Sequence, residues 1–281
     1  MGWHRDLVDF RDSTPTRQAP RLSESSPRKQ VFQSASKSIL SAKPKKSEDN
    51  RAYCPPIEDQ ESLGSCTAHA GVGLVEYMER IASGRHVDAS HLFLYKVTRK
   101  LLGWTGDTGA FLRTTMQALA LFGVPPDDLW PYDLSTFDNE PDAFLYAYAS
   151  NYQSLQYMRL DPAGAPAKAV LDNVRSAISK KYAAMFGFTV YSSLGWDADI
   201  PFPGSKDSVS GGHAILAVGY DDNHSNLGTK NKGALLIRNS WGKKWGEDGY
   251  GWLPYDYIQT GLASDFWTCM KQEWIDSKEF D

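Results

Sequence analysis

The sequence predicts an α+β chain folded as two lobes, with helices supplied first and strands afterwards. Three observations predict it. From Ser65, the apolar residues Ala70, Leu74, Tyr77, Met78 and Ile81 recur at helical spacing until Ser83-Gly84 stops them, which reads as a helix of about 18 residues burying one face. Beyond residue 183 the apolar runs become short and β-like, over 183–191, 213–220, 235–239 and 250–255, with Gly, Asn and Asp clusters between them. The whole chain, 281 residues of which 41% are hydrophobic and 23% charged, has the composition of one large or two modest globular domains.

Taken in order, the first 50 residues differ from the rest. They carry 10 Lys/Arg against 6 Asp/Glu, leaving 20 against 28 for the remainder, so a basic segment precedes an acidic body. With nine serines and 13 apolar side chains the segment is too sparse to build a core alone. It reads either as a disordered tail or as a regulatory segment docked through Trp3, Leu7, Val8, Phe10, Val31 and Phe32, and its opposite net charge fits docking. The helix from Ser65 follows, then a second over 110–122 ended by Gly123 and a third over 167–182. The resulting division is 1–50 as N-terminal segment, 51–165 as a mainly helical lobe and 166–281 as a mainly β lobe. No internal repeat interrupts it.

Several function classes are excluded or disfavoured. A net charge of −4 argues against nucleic acid as the main partner. No apolar run approaches the roughly 18 to 20 residues that span a bilayer, and the N-terminus has no apolar core of a Sec-type signal peptide. A cytoplasmic location, or export by a route without such a signal, is the expectation, with a monomer as the default state. Three cysteines rule out a disulfide scaffold and leave at least one thiol to be explained by burial or by reactivity.

The chemistry-bearing residues are few. Cys66 falls in the first turn of the predicted helix, where unpaired N–H groups and the macrodipole favour a thiolate, so a lowered pKa is expected. His213 follows Gly211-Gly212 and opens the apolar run AILAVGY; alone it reads more often as a satisfied core histidine than as a base. Asn239 ends the strand ALLIRN before Ser240-Trp241-Gly242. A buried asparagine accepting from an imidazole N–H would aim the other ring nitrogen at a thiol, and Trp241 would roof that bond. Together they form a Cys, His, Asn relay suited to acyl transfer. Gly71-Val72-Gly73 lies inside a helix with no strand before it, which rejects a nucleotide loop.

The segments QESLGSC (60–66), SGGHAILAVGYDD and IRNSWGKKWGEDGYGWLPYDYI, in that order, resemble the papain-like cysteine peptidases of bacterial type. The similarity runs over about residues 53 to 260, including LFLYKVTRKL and ALALFGVPPDDLWPYD. It implies a two-lobe fold, a helical left lobe and a β-barrel-like right lobe, with an active-site cleft between them. By the same resemblance Cys66 is the nucleophile, His213 the general base and acid, Asn239 the orienting amide, and Gln60 an oxyanion donor beside the backbone N–H of Cys66. Gly64, Ser65, Gly109, Ala110, Gly212, Trp241 and Trp245 are then placed along the substrate cleft, Gly109 and Ala110 on the edge that pairs with substrate backbone and Trp245 on the leaving-group side.

Some positions depart from the family pattern. Leu63 stands where papain-type enzymes have a disulfide cysteine, Thr67 replaces a tryptophan, and Glu61 replaces a glycine next to Gln60. Cys54 and Cys269 are left as a possible pair or as free thiols. His69 lies on the helix face of Cys66, positioned to tune the thiolate or to fill space; a metal held by Cys66 and His69 lacks a second pair of ligands.

The resemblance implies a cysteine endopeptidase acting on polypeptides through a thioester, with no cofactor and no metal. Residues 1–45 are expected to be an inhibitory propeptide, a short extended stretch laid along the cleft and cut before Tyr53. Two other classes remain: a non-catalytic peptide-binding protein on the same scaffold, and an amidase or transpeptidase using the same relay.

Overall fold

A computed structural model of the chain describes residues 2–7, 9, 11–17, 27–152 and 155–271. Val8 and Phe10 lie outside these residues, as does the side chain of Val31. The helical lobe is built on α2 (Cys66–Ser83), α3 (His91–Leu102) and α4 (Leu112–Phe122), which follow a helix α1 (Pro27–Leu40) placed elsewhere. The α2 helix stops at Gly84, whose φ of 69° is the left-handed conformation that a C-terminal glycine adopts without cost. Ser90 caps α3 by accepting the Phe93 N–H at 3.1 Å.

The second lobe is a seven-stranded sheet. It contains β2 (Ser47–Asp49), β4 (Leu155–Arg159), β5 (Ala184–Tyr191), β6 (Val209–Ser225), β7 (Lys232–Arg238), β8 (Tyr250–Pro254) and β9 (Ala263–Lys271). The order is β4-β9-β5-β6-β7-β8, with β2 paired to β6, and every pair is antiparallel. The sheet is open between β4 and β8 rather than closed, which corrects the barrel-like expectation. A separate two-stranded element joins β1 (Trp3–His4) to β3 (Ala110–Phe111) in parallel.

Two cores lie on opposite faces of this sheet, and the strand period of two sorts side chains between them. Ala214, Leu216 and Val218 of β6, with Met185 and Leu236, face α2, α3 and α4. Ile215, Ala217, Phe186, Phe188, Leu235 and Ile237 face the other way, onto Val174, Ala177 and Ile178 of α6 (Ala167–Ser179). Gly71 and Gly73 explain how α2 approaches so closely. A Cβ on Gly73 would stand 2.9 Å from an Arg238 guanidinium nitrogen, and one on Gly71 3.0 Å from the Thr115 methyl.

The N-terminal segment corrects two expectations. It is not only an extended stretch: α1 forms because Phe32, Ala35 and Ile39 share one face and bury it in the second core. Nor does it dock through opposite net charge. Among the described residues its contacts run the other way, with the acidic Asp6 and Asp12 gripping Arg113 and Arg159 of the body. Asp6 pairs with Arg113 at 3.2 Å, and Asp12 with Arg113 at 2.8 Å and Arg159 at 3.5 Å. The Asp6 N–H donates to Asp265 at 2.7 Å, and Asp265 in turn takes the Arg159 guanidinium at 2.6 Å. Trp267 lies beneath both guanidiniums. Trp3 and Phe32 are packed as expected, whereas Leu7 is 86% exposed.

Two measurements follow from burial. Ile39 is 1% exposed and its neighbour Leu40 54% exposed. Ile39→Ala is expected to cost about 2 to 4 kcal/mol in urea unfolding and Leu40→Ala less than about 0.5 kcal/mol. Glu76, buried in α2, accepts the Ala89 N–H at 2.9 Å, and burial pushes its carboxyl up to about 8. A carboxyl raised in the fold favours its protonated form, so the stability it contributes is complete below its ordinary value of 4.5 and lost as pH climbs through about 8. Glu76→Gln keeps an acceptor for Ala89 and should therefore gain stability over the parent at about pH 9 but not at about pH 4.

Candidate active site

The site begins at the N-terminus of α2. Ser65 occupies the N-cap, yet its hydroxyl makes no capping bond and is used elsewhere, so first-turn N–H groups stay free. Cys66 is fully buried, and the backbone N–H groups of Ala214, Gly2 and Thr67 face its sulfur. Those donors favour a thiolate, as does the helix N-terminus, but burial outweighs them and pushes the thiol up. The lowered pKa expected from sequence is thus reversed in this closed state.

His213 sits on β6 one residue before Ala214, which brings it beside the thiol. Its Nε2 lies 2.8 Å from Asn239 Oδ1, an oxygen that also accepts the Ser240 N–H at 2.8 Å. An amide oxygen can only accept, so Nε2 carries the proton and Nδ1 is the free lone pair. Nδ1 is buried without a partner among the described residues. Burial pushes the imidazole down to about 4, against the raising effect of its bond to Asn239. Trp241 stacks over the ring at 4.7 Å and 24°, roofing the bond to Asn239. Trp245 was expected to line the cleft; instead it is 1% exposed, edge-on beneath Trp241, and donates its Nε1–H to Gly195 at 3.1 Å. The exposed tryptophan next to it is Trp196, whose carbonyl takes the Gly246 N–H.

Gln60 is anchored to the other lobe by two bonds to Ser240 and to its own loop by a third. Its N–H donates to Ser240 O at 2.8 Å, its Oε1 accepts from the Ser240 hydroxyl at 2.6 Å, and its Nε2 donates to Leu63 O at 2.8 Å. Nε2 keeps a second hydrogen for an incoming oxygen. Glu61 adopts φ 52°, the left-handed conformation glycine would take, and its N–H is held by Asp59 at 2.9 Å. The replacement of glycine therefore leaves the loop geometry intact at a local cost.

Sequence reasoning missed Tyr132. Its hydroxyl lies 2.9 Å from Gln60 O and 2.7 Å from Ser65 Oγ. His69 turns its Nδ1 back to Ser65, and burial pushes it down to about 3, so it is a neutral packing and hydrogen-bonding group rather than a charge near the thiol. Among the described residues the one group of three metal-capable side chains is Glu76, His86 and Asp88, which includes neither Cys66 nor His69. All three cysteines are free and buried. No described helix is long and apolar enough to cross a membrane.

The cleft is filled by the chain's own start. Gly2 O accepts the Ala110 N–H at 2.7 Å, and β1 pairs with Ala110 and Phe111, reaching the Gly109–Ala110 edge expected to bind substrate backbone at Ala110. Position 2 itself admits only glycine, since a Cβ on Gly2 would stand 1.7 Å from Gly64 O, and Gly109 makes room for it, since a Cβ there would stand 2.1 Å from Gly2 O. The Trp3 indole lies on Gly187 and Gly212, so close that a Cβ on Gly187 would fall 1.9 Å from a ring carbon.

Fold and site together are those of a two-lobed thiol hydrolase, with a buried thiol on one lobe and an amide-bound imidazole on the other. The chain belongs to the papain family: the family described as papain family cysteine protease matches residues 44–269. It is similar to the solved structure of xylellain, a cysteine protease from Xylella fastidiosa, with 32% identity, a TM-score of 0.73, and coverage of 96% of this chain and 95% of that one. Procathepsin L 3 from the larval midgut of Tenebrio molitor shares the fold at a TM-score of 0.63 and 19% identity, over 92% of this chain and 76% of that one. An uncharacterised peptidase C1-like protein of Acanthamoeba polyphaga mimivirus is 32% identical over 218 residues, 74% of this chain and 68% of that protein. Papain of Carica papaya is 25% identical over 76% of this chain, which spans 54% of the papain sequence. By family the chain is a cysteine peptidase, a hydrolase of the papain-like endopeptidase type.

Because Gly2 closes the site over a buried thiol, Cys66 in the full chain should react slowly with iodoacetamide. Gly109→Val, which leaves no room for Gly2, should speed alkylation at about pH 6 by at least about tenfold. Equal rates would mean that the thiol is not shielded by the segment.

Proposed function

We propose that the chain is an endopeptidase made in a latent form, its cleft occupied by residues 2–4 and held shut by the grip of Asp6 and Asp12 on Arg113 and Arg159. The observation that carries this reading is the position of Gly2. Its N–H faces the Cys66 sulfur while its carbonyl takes the Ala110 N–H, so a peptide backbone already lies where a substrate's would.

In the open form Cys66 gives its proton to His213 Nδ1, and the imidazolium keeps its Nε2–H on Asn239. The thiolate attacks a peptide carbonyl, and the oxyanion is met by the Cys66 N–H and the remaining Gln60 Nε2–H. Collapse expels the amine, which takes the proton from Nδ1 and leaves a thioester. Water then attacks that thioester, gives its proton to Nδ1, and releases the acid as the thiol is restored. In the closed form burial keeps both partners neutral, pushing the thiol up and the imidazole down. Readmitting water reverses both shifts and favours the ion pair.

The substrates are polypeptides, with a bulky apolar side chain in the slot that Trp3 fills. Gly187 and Gly212 give that slot its depth, and the Trp3 Nε1–H is buried there without a partner, so nothing in the slot asks for a polar group.

The test is to incubate the parent chain, Trp3→Ala and Cys66→Ala with an epoxide cysteine-peptidase inhibitor and a mixed fluorogenic peptide set. Mass and fluorescence are followed together. Trp3→Ala should be labelled and turn over peptides at least about tenfold faster than the parent, with Cys66→Ala inert. Equal rates for parent and Trp3→Ala would remove the inhibitory role of the segment. Labelling without cleavage of any peptide would remove the peptidase reading.

A further inference from the structure

Tyr132 is joined to the site by a chain of hydrogen bonds whose direction is fixed throughout. Gln60 O can only accept, so the single phenolic hydrogen of Tyr132 goes to it, at 2.9 Å. The 2.7 Å contact between Tyr132 and Ser65 must then be donated by the Ser65 hydroxyl. With that hydrogen committed, the Ser65 oxygens can only accept from His69 Nδ1, at 3.3 Å to Oγ and 3.1 Å to the carbonyl. His69 therefore carries its proton on Nδ1. The chain runs His69 to Ser65 to Tyr132 to Gln60 with no alternative orientation.

The phenol is held in place by rings. Tyr132 stands edge-on to His69 at 5.1 Å, and His69 stacks on His91 at 4.3 Å. Burial pushes the phenol up and both imidazoles down, so all three stay neutral at ordinary pH and the chain does not titrate apart.

Tyr132 joins the two residues that present the oxyanion donors. One donor is the side-chain N–H of Gln60. The other is the N–H of Cys66, which belongs to the peptide bond that Ser65 begins. Between Gln60 and Ser65 the loop passes through Glu61 at φ 52°, a conformation a side chain resists. Local bonds tie Gln60 to Leu63, with Gln60 Nε2 donating to Leu63 O and the Leu63 N–H donating to Gln60 O, and stop short of Ser65; one phenol, 72 residues away in sequence from Gln60, touches both ends.

We infer that Tyr132 is a positioning residue for the oxyanion site, fixing the spacing of the Gln60 and Cys66 donors from behind the loop. This rests on the peptidase reading above. It assigns to Tyr132 a share of transition-state stabilisation, without contact to substrate or to the thiol.

The test uses the full chain in the Trp3→Ala background, comparing Tyr132→Phe, which removes only the hydroxyl, and Ser65→Ala, which breaks the middle link. Tyr132→Phe should lower kcat by about tenfold or more with KM within about twofold, and weaken a peptide aldehyde, whose adduct carries the same oxyanion, by a matching factor. Iodoacetamide alkylation of Cys66, which needs the thiolate but no oxyanion donor, should stay within about twofold of the background. Ser65→Ala should show the same split. Unchanged kcat and aldehyde affinity in Tyr132→Phe would overturn the inference, and so would an equal loss of alkylation, which would make Tyr132 a general support of the fold. A Trp3→Ala background that neither cleaves peptides nor binds the aldehyde would overturn the peptidase reading itself, and this inference with it.

Discussion

The burial of Arg238 between the lobes is the constraint on which the rest depends. Its side chain leaves β7 directly before Asn239 and runs under α2, where Gly73 offers no Cβ to block it. There it donates to the Pro56 carbonyl, tying the approach to the Gln60 loop to the strand that carries the amide. A cation buried this deeply needs acceptors, and losing the bond to Pro56 is expected to cost about 1.5 to 3 kcal/mol. With the strand fixed, Asn239 is fixed, and with it the imidazole. The positive charge also lowers the pKa of His69 and His91 in the helical lobe, helping burial keep both rings neutral.

The closed state is a balance of desolvation against donors. Three backbone N–H groups face the sulfur of Cys66, an arrangement that in contact with water would stabilise the thiolate. Enclosing the sulfur turns the balance, even though Gly2, which helps to enclose it, supplies one of the three N–H groups, because charge in a dry site costs more than three partial dipoles return. The groups proposed for catalysis are therefore all in place while the site is dry. What is withheld is water, together with the space a substrate would need.

Much of this was legible in the sequence. The helix from Cys66 declared itself through its apolar spacing and its Gly84 stop, and the strands through short runs divided by glycine and asparagine. Cys66, His213, Asn239 and Gln60 stood out through their motifs, and the structure gathers them around one cleft. The parts that stayed hidden share a physical cause, namely that their partners are distant. Phe32, Ala35 and Ile39 form one apolar face of α1, but in a run of serines and lysines that face looks too thin until α6 and the sheet close on it. Net charge misled because docking is decided by four or five buried groups and not by the sum over fifty residues. Tyr132 carries no mark of its own, since its meaning lies in an oxygen of Gln60. Trp245 looked like a cleft residue from its spacing after Trp241, yet it went inward, and Trp196 took the exposed place.

The grip on Asp6 and Asp12 has a consequence for how the molecule comes into being. Residues 2–12 leave the ribosome before the sockets that hold them, which are made of Arg113, Arg159 and Asp265. On a ribosome, these partners appear long after residues 2–12 have emerged, and the sheet strand that bears Asp265 has to be seated on β5 before its carboxylate can receive Asp6. Residues 2–12 can thus be seated only last, on a body already folded. Each newborn molecule passes through a brief interval in which the cleft is formed and nothing yet stands in it.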